Sequence, residues 1–449
     1  MHDRIFYHIY PLGLLGAPNI NNFDSEPKKL LFELDSWLNH LLELGCNALY
    51  LGPVFESTSH GYDTADYYSV DRRLGNNESL VDIIEKAHKL GVKVVIDAVF
   101  NHVGRDFWAF KDLQEKGERS PYKNWFSNVD FTKKSPLGDS FSYSSWRGYY
   151  QLVELNLKNE EVRKHLFGAV RLWVEEFQID GLRLDTADVL DFSFMSELSK
   201  YCKQLKRDFW LMGEVVQGDY RKWIGESMLD SVTNYDYHAP LYQSFNEKDF
   251  DRLSSILNRQ YGPTGKYKKL HLYSFVDNHD VNRAASDLNK PEHLYPLYLL
   301  LFTLPGIPAL YYGSEWGFEG QRKEGSDTEL RPHVVYSKRF SWVKHPDLFN
   351  SLKRFIELRK TIYALAEGDF EEVLVKKKVY AFLRYQKNEM VLVIVNSDKC
   401  SRTVYLKATQ IRVGNYRDVL NNINYLCAEE KGLKLVVSPN WGAVLQYLG

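Results

Sequence analysis

Three carboxylates stand at the ends of short apolar runs. Asp185 closes GLRLD (181–185), Glu214 closes FWLMGE (209–214) and Asp280 closes VDNHD (276–280). Beside them, DAVFNH (97–102) supplies Asp97, Asn101 and His102. Arg183 lies two residues before Asp185, and His279 directly precedes Asp280. Carboxyls, imidazoles and a guanidinium are the groups of proton transfer and charge stabilisation. One such residue alone at a strand end is usually a helix cap or a solvated charge. Chemistry requires that they converge, so the elements carrying them decide the question.

Those elements alternate. Strand-like runs are IFYHIY (5–10), NALYLG (47–52), VKVVIDAV (92–99), IDGLRLD (179–185), FWLMGE (209–214), SVTNY (231–235), LYSFVDN (272–278) and PALYYG (308–313). Helical stretches such as 36–45 and 79–91 lie between most of them, with apolar residues three and four apart and a glycine at the end. Eight strands alternating with helices predict an α/β fold, a (β/α)8 TIM barrel. Barrels of this kind place functional groups at the C-terminal ends of their strands. Runs three, four, five and seven would then aim all of the groups above at one mouth. The connection after the third run is abnormally long and rich in aromatic residues, and residues 103–155 read as an inserted domain. The barrel would comprise 1–102 and 156–368. From 369 to 449 the segments become short, alternating and turn-bounded, which predicts a C-terminal antiparallel β-sandwich.

Bulk properties narrow the partners. The 449 residues carry a formal charge of −2, and no Lys/Arg block forms a nucleic-acid patch. The most apolar stretch, 294–313, is broken by Pro296, Pro305, Gly306 and Pro308, against a membrane span. The opening residues read as a first strand and not as a secretory signal. Cys46, Cys202, Cys400 and Cys427 form no CxxC pair, so free thiols in a reducing, cytoplasmic setting are expected. Aromatics reach 14%, with 30 Tyr and 10 Trp. Such rings serve cores and interfaces, and they also stack on the apolar faces of sugars.

The motifs resemble the signature regions of the α-amylase superfamily of glycoside hydrolases (family 13). DAVFNH (97–102), GLRLDTA (181–187), the Glu of GEV (213–215) and FVDNHD (275–280) are similar to four of them, in order. LVELN (152–156) is similar to a fifth. The resemblance implies a retaining hydrolase of α-linked glucans, with Asp185 as nucleophile, Glu214 as acid/base and Asp280 as the third carboxylate. Arg183 would hold Asp185 ionised, and Glu214 would need a raised pKa. His102 and His279 would donate to hydroxyls of one sugar. Tyr62, in HGYDTADYY (60–68), resembles the platform beneath that sugar. Asp327 and Arg331, in SDTELR (326–331), resemble the pair that grips the next sugar, and equally suit a helical i,i+4 ion pair.

Within the superfamily, LVELN followed by NEEVR (159–163) looks most like the cyclomaltodextrinase, neopullulanase and maltogenic amylase group. Asp188 and Val189 stand where α-amylases carry a Lys-His pair, which argues against ordinary α-amylase subsites. The substrate implied is a maltodextrin, cyclodextrin or starch fragment. A glucan- or sucrose-acting transglycosylase and a non-catalytic carbohydrate-binding relative are the alternatives. No cofactor is required for the chemistry. Asn101 matches a calcium ligand of many α-amylases, but it also suits a hydrogen-bonding role at the mouth beside Asp97. A Ca²⁺ site would need about six to eight oxygens.

Overall fold

The computed structural model describes residues 3–449. Eight parallel strands carry the catalytic half: β1 (Phe6–Ile9), β2 (Ala48–Leu51), β3 (Lys93–Ala98), β4 (Gly181–Leu184), β5 (Trp210–Gly213), β6 (Ser231–Val232), β7 (Tyr273–Phe275) and β8 (Ile307–Tyr311). They pair in the order β6-β5-β4-β3-β2-β1-β8-β7. A parallel bridge between Thr233 and Tyr273 joins the two ends, and the N–H of Asn234 donates to the carbonyl of Tyr273 at 2.8 Å. The sheet is therefore closed into a barrel. The sixth run, SVTNY, is extended only at Ser231–Val232, because Asn234 opens a helix over Tyr235–Glu247.

Alternation along each strand sorts the side chains into two cores. Phe6, Tyr50, Val95, Met212, Phe275 and Ala309 pack together inside the barrel. Tyr7, Ile9, Leu49, Val94 and Leu182 face outward into the helical shell. The helix Leu34–Leu44 stops at Gly45, whose φ of 98° is left-handed and favours glycine. The helix Asn77–Lys89 starts from a reciprocal box in which Asn76 and Ser79 bond each other's backbone N–H.

The long connection between β3 and β4 is tied at its base by an antiparallel ladder, His102–Gly104 against Leu152–Glu154. Within it Phe110 packs edge-on against Phe126, Phe141 and Tyr143. A second short pair, Phe55–Ser57 with Thr64–Val70, brings Tyr62 to the same rim and has no signature in the hydrophobic pattern.

The C-terminal region holds β9 (Asp369–Lys376), β10 (Val379–Gln386), β11 (Glu389–Asn396), β12 (Arg402–Leu406), β13 (Gly414–Asp418), β14 (Ile423–Cys427), β15 (Leu433–Val437) and β16 (Trp441–Tyr447). Six form one antiparallel sheet, β9-β10-β11-β16-β13-β14, and β12 pairs with β15 over one face. β10 and β11 do not simply alternate, because both their faces are buried. Val379, Ala381, Leu392 and Ile394 face the small sheet, whereas Tyr380, Phe382, Val391 and Val393 join the core of the barrel domain. The helix Leu294–Thr303 packs so closely there that a Cβ on Gly442 would meet Leu299 at 2.2 Å.

Candidate active site

The hydrogen-bond ladder continues past the ends of β4 and β5. The N–H of Asp185 donates to Ala98 O at 3.0 Å, and that of Glu214 to Leu184 O at 2.9 Å. Strand continuity thus sets the two carboxyls side by side at the mouth. Arg183 is in register with Asp97 on β3 and faces inward. Its Nη1 donates to Asp97 Oδ1 at 2.8 Å and to Asp185 Oδ1 at 2.7 Å, and its Nη2 lies 2.9 Å from Glu214 Oε2. One guanidinium therefore spans three carboxylates, where the sequence suggested only Asp185. After Asp185 the chain turns through Thr186 at φ 46°, a conformation costing a Thr about 1–3 kcal/mol. The turn aims the Thr186 N–H at Glu214 Oε2, 3.0 Å away.

Charge sets the protonation. Burial pushes the carboxyls of Asp185 and Glu214 up, and Arg183 opposes it in both. Glu214, Asp97 and Asp280 push Asp185 further. Both carboxyls are thus held above the ordinary carboxylate range by burial, with the Glu214 charge adding to the rise at Asp185. Asp280 is the opposite case. Its surroundings also resist ionisation, but His279, Arg331 and Arg183 hold its carboxyl well below the usual carboxylate range. His279 Nε2 lies 3.0 Å from Asp280 Oδ2, and Arg331 Nη2 donates to Oδ1 at 3.0 Å.

The remaining candidates line the same mouth. His102 is buried, and burial with nearby His60 lowers it to about 3, so the ring is neutral. Its Nδ1 lies 3.3 Å from the Asn101 amide nitrogen, the ring bonds the Tyr62 backbone, and Nε2 is buried. The Tyr62 hydroxyl donates to Asp97 Oδ2 at 2.9 Å and also contacts His279 Nε2. Its ring lies parallel to His279, with centroids 5.5 Å apart. Asp327 and Arg331 form an ion pair at 3.1 Å, but Arg331 also reaches into the centre through Asp280.

Four contributors escape a reading by motif. His8 stacks on Tyr50 at 4.1 Å and meets His279 edge-on at 5.1 Å. The Tyr50 hydroxyl donates to Asp97 Oδ2 at 2.8 Å. Tyr10 lies 4.6 Å beneath the Arg331 guanidinium. Tyr235 accepts from Asn278 Nδ2 at 3.3 Å. His8 and Tyr50 stand two residues after inward-facing Phe6 and Ala48, so strict alternation along IFYHIY and NALYLG was the available signal.

Asn101 turns its amide nitrogen toward His102 Nδ1 at 3.3 Å. Among the described residues no group of three or more His, Cys, Asp or Glu could hold a metal ion. No helix among them is long and apolar enough to cross a membrane.

A family model described as "Alpha amylase, catalytic domain" matches residues 34–341. The chain is 30% identical over 380 residues to a cyclomaltodextrinase of Thermoanaerobacter pseudethanolicus, covering 83% of this chain and 64% of that one. It is 28% identical over 385 residues to an intracellular maltogenic amylase of Bacillus subtilis, covering 84% and 63%. The chain thus spans just under two thirds of the length of both relatives. Among solved structures, the cyclic α-maltosyl-(1→6)-maltose hydrolase of Arthrobacter globiformis superposes with a TM-score of 0.83 at 26% identity, covering 100% of this chain and 99% of that one. With its motifs, its barrel and this match in agreement, the chain belongs to the α-amylase family of glycoside hydrolases.

Proposed function

We propose that this chain hydrolyses α-1,4-glucosidic bonds in short maltodextrins or cyclodextrins, with retention of configuration. The observation that carries the reading is the Arg183 guanidinium, bonded at once to Asp97, Asp185 and Glu214. Asp185 attacks the anomeric carbon and forms a glycosyl ester. Glu214, raised by burial, gives its proton to the departing oxygen. It then takes a proton from the water that breaks the ester. Retention needs the two carboxyls about 5–5.5 Å apart, and one guanidinium spanning both favours such spacing.

Asp280, held ionised, stabilises the positive charge that develops on the ring. The buried, neutral His102 ring faces a sugar hydroxyl, and Tyr62 lies beneath the sugar. No step calls on a cofactor. The free thiols of all four cysteines, and a relative named as intracellular, support a cytoplasmic setting.

The test is a product profile on cyclodextrin beside starch, pullulan and sucrose, run with wild type and Asp185→Asn. Short linear maltodextrins from cyclodextrin, lost in the variant, are the expected result. Wild-type turnover by Asp185→Asn, or transfer products alone, would overturn the reading.

A further inference from the structure

Two loops at the mouth grip each other through one arginine apiece. The loop after β7 carries Asn278, His279, Asp280 and Arg283. The loops after β8 carry Gly320 and, further on, Leu330 and Arg331. Arg331 reaches across to the first loop: Nε donates to the His279 carbonyl at 3.1 Å, and Nη2 donates to Asp280 Oδ1 at 3.0 Å. Arg283 reaches back. Its Nη2 donates to the Leu330 carbonyl at 2.8 Å and its Nη1 to the Tyr312 carbonyl at 2.7 Å. Its own N–H donates to the Gly320 carbonyl at 3.0 Å.

Arg283 is 0% exposed and sits over the rings of Tyr311 and Tyr312, at 4.0 and 5.1 Å. A buried guanidinium is expensive to desolvate unless charge balances it. Here the facing carboxyl is Asp277, raised by burial and lowered by Arg283, and reached through the Ser314 hydroxyl. That hydroxyl lies 2.9 and 2.8 Å from the two Asp277 oxygens and 3.5 Å from Arg283 Nη1. Asp277 also closes its own loop, because Asp277 Oδ2 accepts from the Ala284 N–H at 3.0 Å. The segment 277–284 is thereby pinned at both ends, with Asp280 in its middle.

The receiving side is equally tight. The Leu330 carbonyl also accepts from the Tyr311 hydroxyl at 3.1 Å, and the Pro332 carbonyl from Tyr312 at 2.9 Å. Gly13 lets the chain pass: a Cβ there would meet the Arg331 carbonyl at 2.3 Å. The carbonyls on either side of Arg331 are therefore held by buried groups, while Arg331 itself ends on the third carboxylate.

We propose that Arg283 is a positioning residue: by gripping Leu330 it places the Arg331 guanidinium, and Arg331 fixes the Asp280 carboxylate for the reaction. Arg331 thus serves Asp280 beyond any contact with a neighbouring sugar. The inference rests on the proposed function above. A misplacement of about 1 Å at such a distance from the chemistry can lower a rate about 100-fold.

The experiment is a double-mutant cycle on the full chain, using α-maltosyl fluoride, with active sites counted by a covalent trapping reagent. Arg283→Lys should lower kcat per active site about 10- to 100-fold and leave KM within about threefold. In the Asp280→Asn background the same change should cost less than about twofold, because groups acting as one unit are not additive. Arg331→Lys, at an 11% exposed side chain, should be masked in the same way and carries the test if Arg283→Lys fails to fold. Equal losses in both backgrounds, or a loss confined to KM or to the number of active sites, would overturn the proposal. An active Asp185→Asn would sink the functional reading instead, so the two failures are distinguishable.

Discussion

The mouth of the barrel treats its carboxylates in two opposite ways. On one side, Asp185 and Glu214 share a single guanidinium with Asp97, and burial raises both. On the other, Asp280 has His279 and Arg331 at 3.0 Å each and is held low. Carboxyls within one cleft are thus pushed up where three share one guanidinium and held low where Arg331 and His279 both contact a single carboxylate. The balance of charge separates Asp280 from the other two carboxyls, and the order of the motifs is what distinguishes Asp185 from Glu214.

The comparison is broken most directly at the pair. Asp185→Asn should lower kcat on maltoheptaose about 10⁴-fold or more, with calorimetric binding of the sugar changed only a few-fold. Glu214→Gln should cost about 10²–10⁴-fold on the same substrate, the usual worth of a positioned proton donor. Judged by kcat/KM, which reports steps only up to ester formation, it should cost less than about tenfold on α-maltosyl fluoride, since fluoride departs without a proton. An equal loss on both substrates would contradict the acid role.

A smaller effect tests the coupling. Glu214 helps to raise Asp185, so Glu214→Gln should move the acid limb of kcat/KM for the fluoride to lower pH. A limb that stays in place would mean that the two groups titrate alone.

The smallest effect is on stability. Asp185 takes up its proton more readily folded than unfolded, so the folded chain binds more protons as pH rises above the ordinary carboxylate range. Stability then falls with pH across the window from that range up to the raised folded value. Asp185→Asn should therefore be more stable than wild type at pH 7 in urea unfolding. Asp280 has the opposite sign: its stabilisation is present above the ordinary range and is lost as pH falls through the depressed value. Asp280→Asn should be less stable at pH 7.

How far the site could be read from the chain follows from the range of its contacts. Asp185 and Glu214 directly follow strands, and His102 and Asp280 lie four and five residues beyond the ends of β3 and β7, so local pattern and strand order bring them to one mouth. Arg183 was legible beside Asp185, two residues away, but its bond to Glu214 depends on how β5 lies against β4. The grip of Arg331 on Asp280 spans 51 residues between two loops, and spacing carries no sign of it. His8, Tyr10 and Tyr50 sit inside apolar runs and pass for strand residues until the barrel gives each strand an inside. The C-terminal strands show the same limit, because β10 and β11 are covered on both faces once the helix Leu294–Thr303 docks.

The central claim is that Asp185 becomes covalently bound to sugar. A 5-fluoro-α-glucosyl fluoride that traps the intermediate, followed by peptide mass spectrometry, tests it directly. The account predicts one label per chain, on the peptide carrying Asp185, with release of product of retained configuration. A label on Asp280 or Glu214, or an inverted product with no trapped ester, would contradict it.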